Sequence, residues 1–428
     1  MRPGRTRAKC KMDSNHDRTG NSRLPFEVLS HVFGYYLKEE SSLHPLETLL
    51  LICKDWQEAA LGTRSLWATY RITLGDERAT ERWVSRLPVR MQRAGRLTLF
   101  HIDIRHVDHS SGRFGESTRL DRHQLDASWN TPRLLEILAG KDGSLCCRWK
   151  ELRITIDSPS VIFGSFNSIK YQLAPLTYPM PSLTSLHLKI RTMSGVPLFP
   201  QLPSLQSVIL EDCFLIRYPD MSNAREIYLD NVSCGIDHEA HHVLWNAFNL
   251  QYLHINNNNH STIYCSEYPT LRTLSLQGED IPRSLQRAAM PELETLIIEF
   301  SRIELIAGVA DLPAIGQIHT LHLTGYDETL LHREDGLRAI WRILNMCSGL
   351  ETLYVNEFVL SFIFEDWSIW GHLFAEQGST IKIFLQRKRM KDIQLVLGDR
   401  ITSKALQLVT YRYNVPLPEP LIREIGNT

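Results

Sequence analysis

Eight segments of this chain fit the pattern L-x-x-L-x-L, and that repetition limits the possible folds more than any single residue does. They start at Leu183, Leu205, Ala224, Leu250, Leu271, Leu293, Ile318 and Leu350. Successive starts lie 22, 19, 26, 21, 22, 25 and 32 residues apart, close to the roughly 20–29 residues of one strand-and-return unit. Within a segment, alternate side chains point to one face, and a single unit cannot cover them. Stacked units can, by forming a parallel sheet with return segments on the outer side. Four segments follow a turn of the type Met180-Pro181-Ser182-Leu183, where the proline ends one unit and starts the next strand.

The fifth position of each unit points away from this core. Down the array it reads His187, Ile209, Tyr228, His254, Ser275, Ile297, His322 and Tyr354. Neighbouring strands lie about 4.8 Å apart, so these residues are expected to form one column on the concave sheet face. Large side chains with polar tips suit an interface, which makes His187, Tyr228, His254, Ser275, His322 and Tyr354 the candidate target-binding set. The seventh position is polar with an acidic lean: Lys189, Glu211, Asp230, Asn256, Gln277, Glu299, Thr324 and Asn356. Stretches at 95–104 and 148–157 look like earlier strands of the same array, and 379–385 looks like its end. A Cys or Asn three residues after the last apolar position occurs only as Cys213 and Asn258, so the units are degenerate.

At 428 residues the chain exceeds a single compact core and calls for several domains or an elongated array. Its 47 Lys and Arg against 48 Asp and Glu give no global reason to expect nucleic acid or membrane as a partner. No apolar run approaches a membrane span and the N-terminal stretch lacks a secretory core, so a cytoplasmic or nuclear location, or both, is expected. The eight cysteines show no paired spacing, which suggests reduced thiols rather than disulfides or a zinc knuckle. The basic run Arg387, Lys388, Arg389 and Lys391 has no interleaved aromatics and reads as a solvated edge.

Residues 1–22 are basic and polar, with too little apolar surface to order themselves. From Leu24 the chain turns apolar at helical spacing, with Leu24, Val28, Leu29, Val32, Phe33 and Tyr36 and with Pro25 at a first-turn position; Leu49, Ile52, Cys53 and Trp56 form a second stripe with Ala59 and Ala60, closed by Leu66 and Trp67. The order Leu-Pro-x-Glu-Val-Leu-x-x-Val-Phe at 24–33, Cys-Lys-Asp-Trp at 53–56 and Thr-x-x-Leu-Trp at 63–67 resembles an F-box of the type common in mushroom-forming fungi. Phe26 and the insertion at 38–42 depart from that pattern. The resemblance implies a helical domain that docks the adaptor of a cullin-RING ubiquitin ligase through Leu24, Pro25, Leu29 and Val32, with Cys53, Trp56, Leu66 and Trp67 as its core. Fungal proteins of this type often carry degenerate leucine-rich repeats after the F-box, and these would bind an unknown target protein.

One motif points elsewhere. His238-Glu239-Ala240-His241-His242 fits H-E-x-x-H, in which two histidines one helical turn apart bind zinc and the glutamate activates water. Here Ile236, Ala240, Val243, Leu244, Ala247 and Phe248 form the core stripe of a return helix, which turns His238 and His242 outward. No Gly or His follows at the offsets of the longer metalloprotease signature, and no phosphate loop, Rossmann fingerprint or nucleophile elbow is present. The expected class is therefore α/β: a basic tail (1–22), a helical F-box domain (23–75), a linker with first irregular units (76–145), a leucine-rich-repeat solenoid (146–390) and a C-terminal cap (391–428). Neither metal nor cofactor is expected, and the chain is read as a non-enzymatic receptor subunit of a ubiquitin ligase. The alternatives are a repeat scaffold outside the ubiquitin system, in which the helices merely cap the array, and a zinc protease through His238, Glu239 and His242.

Overall fold

The computed structural model describes residues 24–39, 45–74, 77–106, 131–156, 174–190, 202–215, 219–234, 247–256, 267–278, 283–325, 334–355, 381–386 and 406–411, with 193–194, 198–199, 281 and 359. They divide into two compact units, Met1–Ala68 with Met91–Arg96, and Thr69–Arg90 with Leu97–Thr428.

The second unit is built on strands β1 (Thr69–Leu74), β2 (Phe100–His106), β3 (Trp149–Ile156), β4 (Ser185–Ile190), β5 (Met193–Ser194), β6 (Ser207–Glu211), β7 (Phe214–Leu215), β8 (Glu226–Asp230), β9 (Ser233–Cys234), β10 (Tyr252–Asn256), β11 (Thr273–Gly278), β12 (Thr295–Phe300), β13 (Thr320–Gly325), β14 (Thr352–Val355), β15 (Ile381–Gln386) and β16 (Leu406–Tyr411). Strands β5, β7 and β9 pair among themselves, and the other 13 form one sheet whose spatial order follows the chain. Every pairing is parallel.

The repeat pattern fixes this register. The fourth positions Leu186, Val208, Ile227, Leu253, Leu274, Leu296, Leu321 and Leu353 stand opposite one another in consecutive strands, and all are buried. The first position of each unit is equally buried, from Leu183 to Leu350, and its N–H donates to the carbonyl three residues earlier, as from Leu183 to Met180 at 3.1 Å and from Leu205 to Leu202 at 3.1 Å. The next N–H donates to the same position of the preceding unit: Gln206 to Thr184 at 2.8 Å, Arg225 to Gln206 at 2.8 Å, Gln251 to Arg225 at 2.7 Å. Each turn is thus tied to its neighbour before the strand begins, which satisfies backbone groups that the turn would otherwise leave unpaired. Cys213 occupies the position expected of it: buried, its Sγ lies 3.3 Å from the carbonyl oxygen of Leu188 in the preceding unit. Asn258 lies outside the described residues.

Helices fill several returns. In chain order after the four short helices of the first unit, they are α5 (Glu77–Ala94), α6 (Thr131–Ala139), α7 (Arg283–Gln286), α8 (Ile303–Val309) and α9 (Glu334–Met346). In α8 Gly308 is in close contact with its surroundings, since a Cβ there would enter the Ile281 side chain. At the start of the sheet the Arg148 guanidinium lies 3.9 Å from the centre of the Phe100 ring, and Phe100 meets Tyr70 edge-on at 5.2 Å.

Three expectations are corrected. Strand β1 pairs in register with β2, so Thr69–Leu74 belongs to the sheet and the helical unit stops at Ala68 rather than 75. The array does not end at 379–385, because β16 pairs with β15 over six residues. Phe248 is exposed in the turn before Leu250, so it does not belong to a core stripe with the buried Ala247.

Candidate functional site

The first unit contains α1 (Phe26–Glu39), α2 (Pro45–Ile52), α3 (Lys54–Gly62) and α4 (Arg64–Trp67). Leu29 and Phe33, one turn apart on α1, enter a core with Leu46, Leu49, Ala59, Ala60, Leu66 and Trp67. Trp56 tilts against Phe33 at 5.0 Å, Trp67 Nε1 donates to the Ala60 carbonyl at 2.8 Å, and the Arg93 guanidinium sits 4.4 Å from the centre of the Trp67 ring. Ser30 and Thr63 hydroxyls lie 2.7 Å apart and link α1 to the loop before α4.

The expected docking set divides. Leu24, Pro25 and Val32 are exposed, Leu24 at 57% and Val32 at 44%, but Leu29 is only 5% exposed and belongs to the core. The reason is helical geometry: α1 is apolar on two faces, and Leu29 with Phe33 takes the inward one. Of the expected core, Leu66 and Trp67 are buried and Trp56 is half-buried, whereas Cys53 is exposed. Cys53 has extended backbone at the N-terminal cap of α3, where the helical stripe from Leu49 breaks. The sequence reading missed the apolar residues that accompany Val32 on the surface: Phe26, Val28, Leu51 (85% exposed) and Ile52. Their signal was present, since 24–33 and 49–52 have more apolar residues than one buried stripe can use.

On the sheet, the fifth-position column is realised in register. Arg71, Asp103, Arg153, His187, Ile209, Tyr228, His254, Ser275, Ile297, His322 and Tyr354 follow one another across β1 to β14. Three of the expected contacts are not exposed: His254, Ser275 and His322 are buried. Flat stacking closes them, with Tyr228 on His254 and His322 on Tyr354, each at 3.9 Å between ring centres. His254 Nδ1 also meets Ser275 Oγ at 2.8 Å. Desolvation drives both imidazoles down to about 4, so they are neutral at physiological pH. His187, Tyr228 and Tyr354 are half-buried and remain the accessible members.

Accessible chemistry lies in the flanking columns. His187 Nε2 approaches Glu211 Oε1 at 3.0 Å and Lys189 Nζ approaches Glu211 Oε2 at 3.5 Å, so the bond from His187 first, and then its charge and that of Lys189, hold this carboxyl below the usual range. One strand further, Asp230 accepts Asn256 Nδ2 at 2.8 Å. Burial, then Glu211 and Asp212, raise its affinity for protons. Glu226 is likewise raised by burial.

His238, Glu239 and His242 lie outside the described residues, and among those described no group of three His, Cys, Asp or Glu is placed to hold a metal ion. No described helix is long and apolar enough to cross a membrane. No family model matches the chain, and no curated protein matches it.

Proposed function

We propose that the protein is the target-binding subunit of a cullin-RING ubiquitin ligase, acting in the cytoplasm or nucleus. Its helical unit docks the adaptor as an F-box, and its leucine-rich repeats hold a target protein. The chain catalyses nothing itself; it makes transfer to a target lysine effectively intramolecular by holding donor and target together. The observation that carries this reading is the second apolar face of α1, where Val28 and Val32, one turn apart, are exposed on a helix whose other face is already packed, with Leu24 exposed just before it. A short helical unit does not keep such a face in water without an occupant that covers it. The resemblance of residues 24–33, 53–56 and 63–67 to an F-box names the adaptor as that occupant.

The test is co-purification of the full chain with the adaptor. Leu24→Asp with Val32→Asp is expected to weaken recovery at least about tenfold while the helical circular dichroism is unchanged, since both side chains are already in water. Undiminished recovery would remove the adaptor assignment.

A further inference from the structure

Beyond the docking face, the sheet carries a charge pattern of its own. At the described non-core positions of β1 to β4 the basic residues Arg71, Arg105, Arg153 and Lys189 outnumber the acidic Asp103 and Glu151, of which Asp103 pairs with Arg105 at 2.7 Å. From β6 to β14 the corresponding positions hold Glu211, Glu226, Asp230 and Glu299, with neither Lys nor Arg among those described. Glu211 has His187 and Lys189 from the β4 edge. The Asp230 carboxylate has only the side-chain amide of Asn256 as a hydrogen-bond partner among the described residues.

A second observation coincides with this acidic stretch. Asn256 is 9% exposed and its Oδ1 has no hydrogen-bond partner; His254, beside it on β10 and 5% exposed, has none at Nε2. With Nδ2 committed to Asp230, the amide oxygen is a buried acceptor that lacks a donor, next to a carboxylate that forms no ion pair among the described residues and feels Lys189 only at longer range. Ammonium and guanidinium groups supply both N–H and positive charge. The half-buried rings of Tyr228 and Tyr252 flank Glu226 and Asp230 and offer flat apolar area for the stem of such a side chain.

Strand spacing adds a length. Asp230 on β8 and Glu299 on β12 are separated by three inter-strand steps, about 14 Å. An extended peptide crossing the strands covers that in about four residues.

We propose that the non-core face of β6 to β12 binds an extended peptide segment carrying two Lys or Arg side chains about four residues apart. One occupies the Asp230–Asn256 position and the other Glu299. This rests on the reading that the array is a recognition surface, and it is independent of adaptor docking.

The experiment is fluorescence anisotropy of the full chain at low salt. The probes are labelled peptides of about nine residues with two lysines about four apart in a Ser, Thr and Val background, and the same peptides with Glu for Lys. Binding of the Lys peptides alone is expected, weakened about tenfold or more by Asp230→Asn with Glu299→Gln and unchanged by Glu151→Gln on β3. Equal binding of both peptide sets, or an undiminished affinity in the Asp230→Asn, Glu299→Gln chain, would overturn the proposal. Binding that emerges only when Arg2, Arg5, Arg7, Lys9 and Lys11 are replaced by Ser would assign the face to the chain's own basic segment, and would overturn it as well. Adaptor co-purification reads the helical unit, so loss of one result leaves the other interpretable.

Discussion

Single residues carry the clearest energetic signatures. His254 and His322 are neutral in the folded chain because burial lowers them to about 4, whereas an unfolded imidazole titrates near 6.5. Between those values the unfolded state binds more protons, so the stabilisation is complete above about pH 6.5 and is lost as pH falls toward 4. Going from about pH 7.5 to 5 should cost roughly 2 kcal/mol per ring. Urea midpoints at the two pH values measure it, and the chain with both His254→Gln and His322→Gln should lose correspondingly less stability; an equal loss in both chains would contradict the assignment. Gly308→Ala should lower stability by about 1–3 kcal/mol in thermal melts, because its Cβ enters a space held by the buried Ile281. The sequence placed these histidines in the correct column but not at the correct depth. Their column follows from a period of two and a repeat; their burial follows from the rings beside them, which stack only once the register is set.

For an element, the decisive question is which face meets the core. Strands β1, β4, β6, β8 and β14 alternate between buried and open positions, whereas β10 to β13 bury the fifth position as well, and the sequence assigned every inward residue from Leu186 to Leu353. Helix α1 is different, because its apolar residues cover two faces and helical spacing alone does not rank them. Packing does: Phe33 lies against Trp56, and Leu29, one turn before it, is buried with Phe33. Leu29→Ala should therefore destabilise the helical unit by about 2–5 kcal/mol, whereas Val32→Ala should stay within about 0.5 kcal/mol. Urea unfolding read by hydrogen exchange in peptides of the helical unit distinguishes them, and equal costs would mean that Leu29 is not on the packed face of α1. Strand β1 escaped the sequence reading for a related reason. Thr69-Tyr-Arg-Ile-Thr-Leu alternates well, but it follows helical signals so closely that only its pairing with β2 reveals it.

Across the whole array, each strand of the large sheet pairs only with its immediate neighbours, and so does each turn through the ladder from Thr184 to Glu351. Stability in such an arrangement is close to a sum of unit and interface contributions, so damage should spread by proximity rather than uniformly. Leu296 tests this, being fully buried in β12 with Leu274 and Leu321 on either side. Leu296→Ala leaves a cavity worth about 2–5 kcal/mol. Hydrogen exchange read by mass spectrometry should lose protection first in peptides spanning β11 to β13, while β1 to β3, six or more strands from β12 along the sheet, keep theirs. If protection fell equally from β1 to β14, the sheet would be one cooperative block. The charge change along its face, from basic at β1 to β4 to acidic at β6 to β12, would then belong to a rigid platform rather than to units able to adjust separately to a bound peptide.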